Sequence, residues 1–197
     1  MKKSILLLIA LSASVAGWSQ TTQGSFTFGG GARYTTNKNS YDTNYKNNEL
    51  SLQPSVGYFV ADNLVAGVTL SFTSNKTSYG NGDNTTNQTV VGPFARYYKF
   101  TSNDRFAFTG EVGFLFGGNK YKPDIGNDTK GSSFNFYIAP GFTYYLNEKW
   151  GLDLQLRGIT YTKNDPNKDV DNDDSSSFSF GLQSFSPSLG FRYYMSK

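Results

Sequence analysis

The chain contains no cysteine and no histidine, and only 17% of its 197 residues are charged. Without cysteine it can form no disulfide and has no thiol nucleophile. Without histidine it lacks the commonest general base and metal ligand of enzymes. The charged fraction is also below the roughly 25% of an ordinary soluble domain. We therefore expect no enzyme activity, no catalytic residue, no metal site and no cofactor.

Aromatic residues and glycine are abundant instead. The chain has 14 Tyr, 17 Phe, 2 Trp and 21 Gly, and its formal net charge is +3. Its length suits a single domain. The small net charge provides no basic surface of the kind that nucleic acid requires, so we expect no nucleic-acid partner.

The first 19 residues have the pattern of a secretory signal peptide. Lys2 and Lys3 precede a mostly apolar stretch at residues 5–16 that ends in small residues. This stretch is shorter than the roughly 20 apolar residues that a spanning helix needs. We predict cleavage after Ser19, with Ala16 as the second choice, and a mature domain over residues 20–197. An N-terminal helix of a soluble domain is the alternative.

The rest of the chain alternates apolar and polar residues with a period of two. Between Phe106 and Phe116, for example, the even positions are apolar or glycine and the odd positions include Thr109 and Glu111. This period predicts strands that each have one apolar face. Eight such stretches occur, and they begin at Phe26, Leu50, Ala66, Val91, Phe106, Phe134, Leu152 and Leu189.

The connections between these stretches alternate in length. Short ones lie at residues 61–63, 100–105 and 147–149, and long ones rich in Asn, Asp, Ser, Thr, Gly and Lys lie at 35–48, 74–86, 118–132 and 163–177. Short turns on one side and long polar loops on the other predict an eight-stranded antiparallel up-and-down transmembrane β-barrel. Apolar positions change from even to odd around Pro187, which predicts a β-bulge or a separate short strand there.

A repeated aromatic motif marks the ends of the even-numbered strands. Pro54, Pro93 and Pro140 each precede an aromatic pair by four residues, and a similar pair closes the chain. Tyrosine and tryptophan favour the membrane interface, where the ring is half buried and its polar group stays hydrated. We therefore predict that Tyr58, Tyr97, Tyr144, Tyr193 and Trp150 form a membrane-interface girdle. The alternative is that the tyrosines belong to the core of a β-sandwich.

The polar face of the strands is rich in Gly, Ser and Thr, which suits the crowded lumen of an eight-stranded barrel. Charged groups in such a lumen need partners because their desolvation is costly. We expect Glu111 to pair with Arg157 or Arg96, and Asp153 to pair with Arg192. Structural filling is the expected role, and a narrow conduit is the alternative. The predicted interior polar network is Gln53, Arg96, Glu111, Asp153, Gln155, Arg157 and Arg192.

With its signal peptide, alternating strands and aromatic repeats, the chain resembles the small outer-membrane β-barrel family of the OmpA/OmpX type. Residues 188–195 look like the C-terminal assembly signal of such barrels, although Ser196 and Lys197 replace the usual terminal aromatic residue. The resemblance implies an integral location in the cell outer membrane and two partners, the lipid bilayer and the barrel-assembly machinery. It does not imply one activity, since members act as stabilisers, adhesins or narrow pores.

Three functions remain open from the sequence. The first is a structural or adhesive barrel whose four long loops recognise an extracellular ligand. The second is a narrow, anion-leaning pore lined by Arg96, Arg157 and Arg192. The third is a secreted soluble barrel that binds an apolar ligand.

The acidic fourth loop has part of a calcium-binding pattern at residues 169–173. The pattern fails because Asp174 and Phe180 stand where such a loop needs Gly and Glu. We interpret the segment as a solvated loop, and weak binding of divalent ions stays open.

Overall fold

The computed structural model describes residues 21–38, 45–79, 82–156, 158–168, 174–181 and 188–195. The predicted signal peptide lies outside the described residues. Ten β-strands follow one another along the chain, and no helix of the described part is long and apolar enough to cross a membrane. The strands are β1 (Phe26–Lys38), β2 (Tyr45–Ala61), β3 (Leu64–Tyr79), β4 (Gly82–Phe100), β5 (Phe106–Lys122), β6 (Thr129–Tyr145), β7 (Trp150–Gln155), β8 (Ile159–Asp165), β9 (Ser175–Phe180) and β10 (Ser188–Met195).

These ten strands form one closed antiparallel barrel with eight strand positions around its circumference, which we call staves. Strand β6 pairs with β7 over one half of its length and with β8 over the other half, so β7 and β8 are two parts of the seventh stave. Likewise β9 pairs with β8, and β10 pairs with β7 and with β1, which closes the cylinder. The prediction of an eight-stranded up-and-down barrel is confirmed.

The apolar face of the sheet points outward and the charged face points into the lumen. The side chains of Phe28, Val68 and Phe114 are 44%, 47% and 42% exposed, whereas Arg96 and Glu111 are only 5% and 6% exposed. A soluble barrel around an apolar ligand would have the opposite arrangement. The hypothesis of a secreted apolar-ligand carrier is therefore wrong.

The girdle residues lie on the outside of the barrel at the end that has the short turns, which we call the lower end. Tyr58, Tyr97, Tyr144 and Trp150 are all exposed. Tyr193 is half buried against the ring of Trp150, with a centroid distance of 5.1 Å. This placement is the one that an interface belt requires.

A second apolar ring lies toward the upper end, eight residues from the girdle on β2 (Leu50 and Tyr58) and ten on β6 (Phe134 and Tyr144). The centroids of Phe116 and Phe134 lie 5.1 Å apart, and those of Phe134 and Tyr161 lie 6.3 Å apart. This spacing approximates the 9–11 residues with which a tilted strand crosses a bilayer. We call this set the upper ring: Tyr34, Leu50, Phe72, Phe116, Phe134, Tyr161 and Phe178.

The long polar loops predicted from the sequence are largely strand, which corrects that expectation. Strand β3 runs to Tyr79 and β4 begins at Gly82, so the predicted loop over residues 74–86 shrinks to residues 80–81. Polar side chains pair across the extension, as where Asn47 Nδ2 donates to Asn75 Oδ1 at 2.9 Å and to Thr77 Oγ1 at 3.0 Å. Cross-strand pairing thus outweighs the weak strand propensity of asparagine.

The three repeat prolines interrupt the ladder, as residues without an N–H donor must. Pairing between β2 and β3 skips Gln53 and Pro54, and pairing between β4 and β5 skips Gly92 and Pro93, in both cases without a change of register. At Pro140 the opposite stave breaks between β7 and β8.

The eighth stave contains β9, a separate short strand. Such a strand was one of the two outcomes predicted from the change of apolar positions from even to odd. Gln155 pairs with Ser188 and Ile159 pairs with Phe180. Between these two pairs the chain has three residues (156–158) on one stave and seven (181–187) on the other. Residues 182–187 lie outside the described part of the chain.

We predict that Val112→Arg, on the lipid face between the two rings, destabilises the barrel by about 2–4 kcal/mol because a charge enters the bilayer centre. Urea unfolding in lipid vesicles measures this cost. Ser74→Arg, on the outward face beyond the upper ring, is the control and should leave the midpoint unchanged. Equal effects at the two positions would contradict the assigned facing.

Candidate functional site in the barrel interior

Four aromatic side chains close the lumen at its lower end. Phe59, Tyr98, Tyr145 and Tyr194 are each at most 1% exposed, and their ring centroids lie 5.2–6.4 Å apart. Buried Val65, Phe94 and Ala107 belong to the same cluster. We call the four aromatic residues the plug, because they fill the cross-section where water would otherwise enter.

Sequence reasoning missed the plug, although the aromatic repeat contains its signal. Each repeat ends in two adjacent aromatic residues, such as Tyr97 and Tyr98. Adjacent residues of a strand point to opposite faces. The first member of each pair therefore joins the girdle, and the second enters the lumen.

Four buried charges lie directly above the plug. Arg96 Nε donates to Glu111 Oε2 at 2.6 Å, and Arg96 Nη1 donates to Asp153 Oδ2 at 2.6 Å. Arg192 Nε donates to the same Asp153 oxygen at 2.7 Å. Two of the expected pairs, Arg96 with Glu111 and Arg192 with Asp153, are present, and Asp153 also bridges the two arginines. Arg157 lies outside the described residues.

Neutral hydroxyl groups complete the coordination of the two carboxylates. The hydroxyl of Tyr137 donates to Glu111 Oε1 at 2.8 Å, and that of Thr143 donates to Asp153 Oδ1 at 2.6 Å. Arg96 also lies over the ring of Tyr98, 6.0 Å from its centroid, which joins the charges to the plug. Because each charge has an opposite partner and the carboxylates have further donors, burial here is tolerated.

Glycine provides the space in which these large side chains fit. A Cβ atom on Gly113 would lie 2.5 Å from the ring of Tyr137, and one on Gly29 would lie 2.7 Å from the guanidinium carbon of Arg192. The contact at Gly113 is with a packed aromatic ring, whereas the contact at Gly29 is with the flexible end of the Arg192 side chain. Gly29 therefore leaves the space that the Arg192 guanidinium occupies.

Above the four charges the lumen widens into a polar cavity of about 480 Å³. Gln53 and Gln155, both predicted to be interior, line it together with the four charged residues. Both carboxylates at its floor are held by arginine, so neither is free to act as a general base. In the described part of the chain no three His, Cys, Asp or Glu side chains cluster to hold a metal, and the acidic segment 169–173 lies outside that part.

Exposed ion pairs lie beyond the upper ring. Lys76 approaches Asp83 at 2.6 Å, and Lys163 approaches Asp174 at 2.6 Å. The Lys76 ammonium, followed by the Ser78 hydroxyl, lowers the pKa of Asp83 from its ordinary value. Hydrogen bonding between Lys163 and Asp174 raises the pKa of the amine and lowers that of the carboxyl. Solvent screens such pairs, so they add little stability.

Comparison with known proteins adds a family. Residues 4–183 match the family model described as outer membrane protein beta-barrel domain. No curated protein was found to be significantly similar to the chain. Among solved structures the chain is similar to the outer membrane protein OprG from Pseudomonas aeruginosa, with 14% identity, coverage of 92% of this chain and 100% of that one, and a TM-score of 0.48. It is also similar to Neisserial surface protein A, with 17% identity, coverage of 87% and 97%, and a TM-score of 0.44.

We predict that Asp153→Ala destabilises the barrel by about 3–5 kcal/mol, because it leaves two buried arginines short of a carboxylate. Urea unfolding in detergent micelles measures the loss. Lys76→Met, which breaks an exposed pair beyond the upper ring, serves as the control and should leave the midpoint unchanged. A small effect of Asp153→Ala would mean that the lumen is hydrated enough to screen the arginines.

Proposed function

Because the chain belongs to the outer membrane protein beta-barrel domain family, we propose that it is a non-enzymatic integral protein of the outer membrane. Its lumen is closed, and its structural or adhesive role is performed by the part of the barrel that projects outside the cell. The observation that carries this proposal is the plug, whose four aromatic side chains are at most 1% exposed at the lower end of the lumen.

A closed lumen argues against a pore. An ion that entered from the upper cavity would have to displace both the four-charge network and the aromatic residues beneath it. The anion-leaning lining loses two of its three arginines, because Arg96 and Arg192 are bound to Glu111 and Asp153 and these four charges cancel. The interior therefore supports structural filling.

The absence of an available acid or base supports a non-enzymatic role. The chain has no histidine, and the two carboxylates of the lumen are bound by arginine and hydroxyl groups. A hydrolase of lipid or peptide needs a group that can accept a proton beside its nucleophile. The interior network provides none.

The projecting strands support recognition outside the cell. Strand β4 begins at Gly82 and reaches the level of the upper ring near Val91, nine residues later. At about 3.3 Å per residue and a tilt near 40°, this segment projects roughly 20 Å. A rigid polar sheet of that height holds binding groups away from the membrane surface.

We predict that the purified protein produces no conductance steps in a planar bilayer, even at high protein load. A porin reconstituted in the same way is the positive control. Tyr98→Ala combined with Tyr194→Ala opens the lower lumen and should raise the leak, provided that the variant still shows the gel mobility shift between boiled and unboiled samples. Regular steps from the unaltered protein would overturn the closed-lumen proposal.

For the adhesive role we predict that shortening the β3–β4 hairpin weakens attachment of cells to surfaces without loss of assembly. Deleting Thr77, Ser78, Asp83 and Asn84 removes two paired rungs and preserves the register. Adhesion of expressing cells is compared with that of cells lacking the protein. If removing the whole protein reduces adhesion and the short hairpin does not, the β3–β4 extension is not the recognition surface.

A further inference from the structure

Seven lysines lie just beyond the upper ring on strands β1, β2, β3, β5, β6 and β8. Lys38, Lys46, Lys76, Lys120 and Lys130 each lie four residues past a ring member on the same strand. An even separation places each lysine on the same outward face as that ring member. We call this set the lysine collar; its members are Lys38, Lys46, Lys76, Lys120, Lys122, Lys130 and Lys163.

The height of the collar matches the lipid headgroup zone. Four residues of tilted strand correspond to about 10 Å beyond the edge of the hydrocarbon. The headgroups occupy the first several ångströms beyond that edge, and a lysine side chain can extend its ammonium group back toward them. The collar therefore surrounds the barrel where the phosphates of outer-leaflet lipids lie.

Two pairs of collar lysines directly face each other across neighbouring strands. Lys38 is the register partner of Lys46, and Lys120 is the register partner of Lys130. Like charges directly opposite in a sheet are destabilising. An anion between the two ammonium groups converts such a repulsion into attraction. Asp128 already supplies part of this negative charge at Lys120. Within the described ranges the Lys38–Lys46 pair has no carboxylate at ion-pair distance, so this pair indicates an anionic occupant at the outer surface.

The carboxylates of the described residues neutralise only part of the collar. Lys76, Lys120 and Lys163 form ion pairs with Asp83, Asp128 and Asp174, respectively. Within the described ranges, Lys38, Lys46, Lys122 and Lys130 have no carboxylate within ion-pair distance. These four side chains are exposed and available to an external anion.

We propose that the lysine collar binds the phosphate groups of lipopolysaccharide, the phosphorylated glycolipid of the outer leaflet, and holds a shell of it around the barrel. The inference rests on the proposed outer-membrane placement, with the upper end outside the cell. Lysine suits this task because its ammonium is a compact point charge that binds phosphate without a fixed orientation. Several collar lysines together attract an anionic surface additively.

Binding of purified lipopolysaccharide to the refolded protein in detergent tests the proposal. The test variant is Lys38→Gln, Lys46→Gln, Lys120→Gln and Lys130→Gln combined, and we expect its affinity to fall at least tenfold. The affinity of the double variant Lys120→Gln with Lys130→Gln should fall less. Its matched control is Lys99→Gln with Lys149→Gln, which removes the same charge at the lower end. This control should bind lipopolysaccharide normally. Replacing the lysines at positions 38, 46, 120 and 130 by arginine should preserve binding.

The same assay separates lipid from free anion. Lipopolysaccharide stripped of its phosphates should bind weakly to every variant, and inorganic phosphate at matched concentration should not displace the intact lipid. Unchanged affinity of the four-glutamine variant, or equal binding of the stripped lipid, would overturn the proposal. The mobility shift confirms that each variant is folded. Conductance by the protein would contradict the proposed closed lumen but not the proposed binding of lipopolysaccharide. The two proposals can therefore be rejected independently.

Discussion

A backbone group that faces hydrocarbon has no water to bind, so every N–H and C=O within the bilayer must find its partner in the protein. In the lower part of the barrel this chain meets that constraint with a sheet that closes where β1 pairs with β10, from Phe26 opposite Met195 to Gly31 opposite Gly190. In a closed sheet one face of every strand points outward and the other points into the lumen. The alternation of residues along each strand therefore determines which side chains face lipid. Phe28, Val68 and Phe114 face lipid, and the intervening residues fill a narrow lumen.

The lumen in turn must accommodate the charges that closure places in it. Asp153 holds Arg96 and Arg192 together, and Glu111 completes the balance. Glycine at position 113 leaves the volume that the Tyr137 ring needs to reach Glu111. Filling of this kind stabilises a cylinder.

The buried charge network and the lysine collar use different basic residues for a physical reason. The described lumen uses arginine, whose planar guanidinium satisfies two carboxylates at once, as Arg96 does with Glu111 and Asp153. The collar uses lysine, which remains hydrated at the membrane surface and binds phosphate as a point charge. Their placement follows from the different costs of removing each cation from water.

The sequence alone indicated the strands and the separation of apolar and polar side chains onto opposite faces, because alternation is written in neighbouring residues and needs no knowledge of the fold. It also suggested Arg96 with Glu111 and Asp153 with Arg192, since those residues lie at similar heights on strands that follow one another in the sequence. Only the tertiary structure decided that Asp153 bridges Arg96 and Arg192, that Phe59, Tyr98, Tyr145 and Tyr194 meet in a plug, and that the polar segments extend as paired strands. The bridge and the meeting of the plug residues depend on the register and curvature with which distant strands close the barrel, and the extended strands depend on polar pairs across each hairpin.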